Sequence, residues 1–445
     1  MICPECYNKE VSAMRIYEYG KDDMETLYAS LRKRTPEGRK DIEEKVSEIL
    51  RAVKERGDHA VCEYTLKLDG VSLSARELEV SEEDMEKALS GLDRDLREAI
   101  ERSAANIRIF HERQRENSWF MTREDGIILG QKVTPLSRVG VYAPAGTAPL
   151  PSTVLMDVIP AKVAGVGEII LCSPPQKDGK VDPVVLACAR IAGADRVFAA
   201  GGAQAIGAMA YGTGTIPMVD KIVGPGNIYV QTAKKQVFGT CGIDMIAGPS
   251  EVLVIADESA NPGYVAADLL SQAEHDALSS AILVTTSKTL ADAVLKALED
   301  QMERLGRNEI IRKSLEAYGA IVLAPTLKEA VSVSNRIAPE HLEILTRDPF
   351  TLLPEIQNAG AIFLGEYSPE PLGDYFAGPN HTLPTVGTAR FFSPLGVYDF
   401  VKRSSIISYT RNAFADAAPY VASFAEAEGL QAHAESIRIR CRGIL

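Results

Sequence analysis

The feature that most constrains this chain is a repeated alternation of short, wholly apolar runs with segments long enough to be helices. E-I-I-L at 168–171, R-V-F-A at 196–199 and K-I-V at 221–223 each read as a strand. Helices are predicted between and after them, starting near Ser152, Pro183, Ala203 and Asn227. A second block holds V-L-V-I at 252–255, A-I-L-V at 281–284, A-I-V-L at 320–323 and A-I-F-L at 361–364. Its predicted helices cover about 262–275, 289–304, 327–336 and 350–358. A strand that is apolar on both faces must be covered on both faces, as in a parallel sheet flanked by helices. Two such blocks predict an α/β chain with two doubly wound parallel sheets. Ligands are then expected at the carboxyl ends of the strands.

Outside the blocks the pattern is simpler. In 39–56, Ile42, Val46, Ile49, Leu50 and Val53 recur at helical spacing, and Gly57 follows as a stop. A second helix is predicted over 92–111, then extended segments at 126–129 and 138–142. Residues 366–400 are rich in Gly, Pro and aromatics, and so long an irregular stretch is usually functional. The last ~45 residues read as a strand near 405–409 and two helices, too little for a core of their own. That tail must dock on something, such as another subunit.

A chain of 445 residues supports two or three domains. The net charge of −13 argues against nucleic acid or an anionic membrane as partner. No apolar run reaches the ~18 residues of a membrane-spanning helix. The start, M-I-C-P-E-C, lacks the pattern of a signal peptide, so a cytoplasmic location is expected. The seven cysteines are odd in number, and Cys172 and Cys188 lie in apolar runs that read as reduced core. Cys3 and Cys6 form one C-x-x-C pair, which without a second pair does not define a zinc site.

Four of only six histidines sit in polar patches: His275, His341, His381 and His433. Each has a carboxylate or amide close by, as metal ligands and acid–base groups require. Gln272 and His275 are spaced i, i+3 on a helix that Asn261 caps and Pro262 opens. That spacing puts both on one face, although a lone Q-x-x-H is equally a polar face in water. Asp374 and His433 are the best remaining ligand candidates, and a Gln, Asp and two His suit zinc. Spacing alone does not make the four converge. Glu340-His341 follows Pro339 and precedes a strand, and the pair can serve two separate proton transfers. Gly201-Gly202 and Gly224-Pro225-Gly226 each follow a strand and open a helix, as phosphate-binding turns do. Neither is G-x-G-x-x-G, and no acid stands at the expected ribose position, so tight α/β turns explain them as well.

Seven stretches, in order, resemble the histidinol dehydrogenase family. They are RVGVYAPAGTAPLPSTVLMD (138–157), GGAQAIGAMAYGT (201–213), KIVGPGNI (221–228), IAGPSEVLVIAD (246–257), LLSQAEHD (269–276), RIAPEHLEI (336–344) and SPEPLGDYFAGPNHTLPT (368–385). The resemblance covers nearly the whole chain except the first ~15 residues. It implies incomplete Rossmann-like domains with small N- and C-terminal extensions. The expected divisions are 1–35 as an extension, and 36–137 with 249–394 as a discontinuous domain bearing the metal and catalytic residues. An inserted NAD-binding domain would span 138–248, and a tail exchanged in a homodimer would span 395–445.

The resemblance also implies oxidation of L-histidinol to L-histidine through L-histidinal with two NAD, at the end of histidine biosynthesis. One zinc per subunit would be held by Gln272, His275, Asp374 and His433. Substrate would contact Ser250, His341, His381 and Glu428 besides those ligands, and NAD would contact Tyr142, Gln204 and Asn227. Glu340 and His341 would accept protons. His59 and His111 inherit no role. Two other readings stay open from the sequence. One is a dehydrogenase of another small polar alcohol, such as a sulfonated diol. The other is a zinc hydrolase with Glu340 as base.

Overall fold

The computed structural model describes residues 14–34, 40–145 and 149–442. Cys3 and Cys6 lie outside the described residues. The two blocks of alternating elements form two six-stranded sheets. In the first, Arg138–Tyr142 lies between Glu168–Ser173 and Lys221–Val223, all parallel. Arg196–Ala199 and Gly242–Ile243 extend the two sides. The chain winds outward from Arg138–Tyr142 in both directions, which makes a switch point between that strand and Lys221–Val223. In the second sheet Glu251–Ala256 has Ser280–Thr285 on one side and His341–Leu345 on the other, again parallel. Its switch point lies between Glu251–Ala256 and His341–Leu345. Every residue of Glu251–Ala256 and of His341–Leu345 is buried, as strands covered on both faces must be.

The packing of the N-terminal third differs from the expected division. Ile42, Val46, Ile49, Leu50 and Val53 of the helix Lys40–Arg56 pack with Ile170, Phe198 and Ile206, on the first sheet. Ile100, Ala104 and Ile107 of Arg94–Glu112 cover its other face. The segment 40–112 therefore belongs with 138–243 rather than with 249–394. Conversely, Arg15–Glu18 adds an edge strand beside Ala320–Leu323, and Leu27 and Leu31 pack beneath the second sheet. What the sequence presented as an N-terminal extension is part of that sheet's body. Helix periodicity shows which face of a helix is apolar but not which sheet it covers.

Two smaller expectations also change. The helix predicted over 350–358 is a pair of 3₁₀ turns, Pro349–Thr351 and Leu353–Glu355. Pro354 lacks the N–H that a continued helix would need. The irregular stretch after Gly365 contains one short α-helix, Glu370–Tyr375, and two 3₁₀ turns, Thr388–Arg390 and Val397–Phe400. His59 is exposed, and His111 is buried with Nδ1 on the Ile107 carbonyl at 2.8 Å.

The tail is distinct. Val401–Ser408 pairs antiparallel with Ile128–Pro135, which also pairs with Trp119–Thr122. The helices Arg411–Ala427 and Gln431–Cys441 then pack on each other around only Ala422, Ala425 and Ala434. Tyr420, Phe424, Ile407 and Phe120 stay exposed on this part of the chain. Among the described residues no helix is long and apolar enough to cross a membrane. Cys172 and Cys188 are buried free thiols.

Candidate active site

The second sheet places its chemistry at the amino ends of its strands, opposite to the expectation. Glu251 and His341 are the first residues of neighbouring strands, and Ser250 immediately precedes one of them. The helix Pro262–Ala273 starts at the far end of the sheet and runs back, which returns Gln272 and His275 to the same edge. Asn261 caps that helix through Gly263 N–H at 2.8 Å, as expected. His275 lies just beyond the helix end, where its N–H donates to the Gln272 carbonyl at 3.3 Å. It is therefore a turn residue and not a helical one. The chain leaves the first sheet at the carboxyl end of Gly242–Ile243 and enters the second at the amino end of Glu251–Ala256. A short linker thus brings opposite ends of two parallel sheets together.

Glu340 and His341 are both buried. His341 Nδ1 lies 2.9 Å from the Glu251 backbone carbonyl, so Nδ1 carries the proton. Nε2 then presents a lone pair, and it has no hydrogen-bond partner. It faces Glu370 Oε1 and Asp374 Oδ1, each at 3.9 Å. His381 Nδ1 lies 3.7 Å from the same Asp374 oxygen. Burial, helped by His275 and His381, holds the His341 imidazole down at about 4, and burial likewise holds His381 at about 4. Both rings are neutral near pH 7. Burial first, and then Glu251, pushes the Glu340 carboxyl well above its usual range.

The edge is crowded with acids. Burial and the neighbouring Asp374 raise Glu370 to about 8, while His275 offsets part of the rise. Burial raises Asp374 to about 6. Ser271 Oγ donates to Glu370 Oε2 at 3.4 Å, which ties the Gln272–His275 turn to the Glu370–Asp374 helix. Behind them, Glu343 accepts the Glu370 N–H at 2.7 Å and shares a hydrogen bond with Asp268. His341, Glu370 and Asp374 bring three potential ligand atoms within 4.8 Å of one another. The buried side-chain oxygen of Gln272 has no partner. Unsatisfied donor atoms among desolvated acids are what a divalent cation would relieve.

The edge thus gathers Gln272, His275, Glu340, His341, Asp374 and His381, with Ser250 beside them. It does not gather Glu428 or His433. Those two line a groove made by the tail's own Tyr420, Val421, Phe424 and Leu430. Arg34, Glu251, Glu343 and Glu370 are the residues that sequence reasoning missed. For the three acids the only signal is a lone acid within or beside an apolar strand, as in H-L-E-I-L at 341–345, or an acid four residues before Asp374, and Arg34 carries no signal of its own.

Tyr142, Gln204 and Asn227 form a second group at the carboxyl end of the first sheet. Tyr142 ends its strand, and its hydroxyl accepts from Gly202 N–H at 3.1 Å, at the start of the helix bearing Gln204. Gln204 is fully buried, with its side-chain oxygen unpartnered. Asn227 caps the next helix through the N–H groups of Tyr229 and Val230 at 3.0 and 3.2 Å. Gly224 must be glycine: its φ is +112°, and a Cβ there would come 2.2 Å from the Tyr142 carbonyl oxygen. The turn is therefore pressed against the switch point of the sheet.

Two parallel, doubly wound sheets with an acid–imidazole cluster where they meet define an α/β protein of Rossmann-like class. The match to known proteins is specific. The chain belongs to the histidinol dehydrogenase family, whose family model matches residues 32–441, and it is an oxidoreductase. It is 56% identical to histidinol dehydrogenase of Aquifex aeolicus, over 96% of this chain and 99% of that one. It is 55% identical to the enzyme of Syntrophotalea carbinolica, over 92% and 94%. Among solved structures it resembles histidinol dehydrogenase from Elizabethkingia anophelis, with a TM-score of 0.91, 38% identity and 97% and 99% coverage.

Proposed function

We propose that the chain is a zinc-dependent, NAD-linked dehydrogenase that oxidises L-histidinol to L-histidine through L-histidinal, closing histidine biosynthesis. One observation carries the reading. His341 is a buried, neutral imidazole whose tautomer is fixed, with a free Nε2 lone pair aimed at the acidic cluster. A base of this kind accepts the hydroxyl proton of an alcohol as hydride leaves the carbon.

Gln272, His275, Asp374 and His433 would hold one zinc per subunit. The unpartnered Gln272 oxygen and the mixed N/O donor set fit such an ion. When bound, zinc supplies an orienting template for the substrate's nitrogen atoms. Tyr142, Gln204 and Asn227 would hold NAD, which would supply the hydride acceptor. Ser250, His381 and Glu428 would complete the substrate contacts.

The chain's own residues move the protons. His341 Nε2 takes the hydroxyl proton in the first oxidation and yields the aldehyde. Glu340, once ionised, takes a proton from the water that adds to the aldehyde carbon. His341 then takes a hydroxyl proton from the hydrate as the second hydride leaves. One water enters, two hydrides leave to two NAD, and the released protons pass to solvent.

The working form is proposed to be a homodimer in which Glu428 and His433 complete the partner's site. The tail's three-alanine core and its exposed Tyr420 and Phe424 support this. The test of the reading is NADH formation from histidinol with and without a chelator. Turnover is expected to vanish on chelation and return with zinc, with the thermal unfolding of both α/β bodies retained. Full turnover in metal-free protein, checked by elemental analysis, would rule out the metal's role.

A further inference from the structure

Glu251 is a buried acid in contact with Glu340, His341 and the loop that follows His381. Its N–H donates to Glu340 Oε2 at 2.8 Å, and its side chain accepts the Glu340 N–H at 3.2 Å. Its backbone carbonyl fixes the His341 ring at 2.9 Å. The same carboxylate accepts from the N–H of Val386. Val386 holds φ +52°, a conformation costly for a β-branched residue, in the loop that follows His381.

A carboxylate this deeply buried needs a partner, and Arg34 provides it. Arg34 and Glu251 are 2% and 3% exposed, so neither charge is met by water. The guanidinium pairs with Glu251 while Nε donates to Leu31 O at 3.0 Å and Nη1 to Leu278 O at 3.1 Å. Those two carbonyls hold the guanidinium against Glu251. The N-terminal helix is thereby tied to the reacting edge.

We propose that Glu251, neutralised by Arg34, is the positioning residue of this site: it aims Glu340, orients His341 and holds the loop bearing His381. The inference rests on reading Glu340 and His341 as the acid–base pair. The Glu340 carboxyl faces Glu251, Asp374, Glu370 and the neutral ring of His341, with Arg34 behind Glu251. The direction in which that carboxyl points therefore depends on the Glu251 N–H and on the carboxylate that Arg34 holds in place.

The experiment measures kcat and KM for the oxidation of histidinal and of histidinol by NAD in the zinc-loaded enzyme. Glu251→Gln removes the carboxylate that accepts the N–H groups of Glu340 and Val386, and Arg34→Met removes its buried partner. In both, kcat for histidinal should fall roughly tenfold or more with KM changed much less. Arg34→Lys, which keeps the cation, should recover most of that loss. Thermal unfolding identifies any variant that fails to fold, and Arg34→Met and Glu251→Gln each test the idea alone. Unchanged kcat, or a raised KM with kcat kept, in the folded variants would overturn the proposal and leave the pair a packing element. If Glu340→Gln itself keeps the wild-type rate with histidinal, the assignment of Glu340 as base has failed instead.

Discussion

At the scale of single residues, the two members of Glu340-His341 are set apart by what each touches. His341 is a neutral base with a free Nε2, and Glu340 is a carboxyl held up by burial and by Glu251. Glu340→Gln is expected to impair aldehyde oxidation more than alcohol oxidation. His341→Asn should slow both by roughly 10²–10⁴-fold. Separate assays of histidinal with NAD and with NADH decide it, and equal harm to both steps by Glu340→Gln would refute the division. Asp157 offers a test of stability. It is fully buried, accepts from Thr382 Oγ1 at 2.9 Å, and is raised to about 8 by burial and then by Asp244. The folded protein holds that proton more tightly than the unfolded chain, whose carboxyl titrates near ~4. Stability is therefore lost as pH rises from about 4 through about 8. Asp157→Asn keeps an acceptor for Thr382 and removes the titration. Its melting temperature should exceed wild type by at least about 2 °C above pH 8, with the gap closing toward pH 5. A gap independent of pH would contradict this.

At the scale of elements, most strands were legible because they are short, apolar and parallel. His341–Leu345 and Glu251–Ala256 fall where the apolar runs stand. The helix lost at 350–358 had the composition of a helix but a proline, Pro354, in its interior. Caps were legible too. Asn227 was singled out at a glycine turn, and its side chain caps the following helix. An aspartate there would cap equally well but would add charge where the dinucleotide phosphates are expected. Asn227→Asp should leave the melting temperature within about 1 °C and weaken NAD binding by roughly tenfold, measured by titration calorimetry. A large loss of stability would make the residue structural first.

At the scale of the whole molecule, the tail poses the main question. Its two helices meet around a cluster of three buried alanines, leave large apolar side chains in water and carry Glu428 and His433 away from the edge at His341. If tails are exchanged in a dimer, mixing His433→Ala with His341→Ala chains should restore activity. A mixed dimer then has one intact site and one doubly damaged site. Random exchange should return about a quarter of wild-type activity. If each tail serves its own chain, the mixture stays inactive.

The sequence by itself determined the α/β class, the two parallel sheets, the glycine turns and the residue types of the site. Those follow from local rules: periodicity, caps, and which side chains can move protons or bind metal. Only the tertiary structure decided that 40–112 covers the first sheet and that the acid–base pair sits at the amino ends of its strands. It alone brought Arg34, Glu251 and Glu370 to that pair. These are contacts between segments up to some 200 residues or more apart, such as Arg34 with Glu251. No local pattern records them, because a buried charge is stabilised by whichever partner the fold delivers and not by its neighbours along the chain.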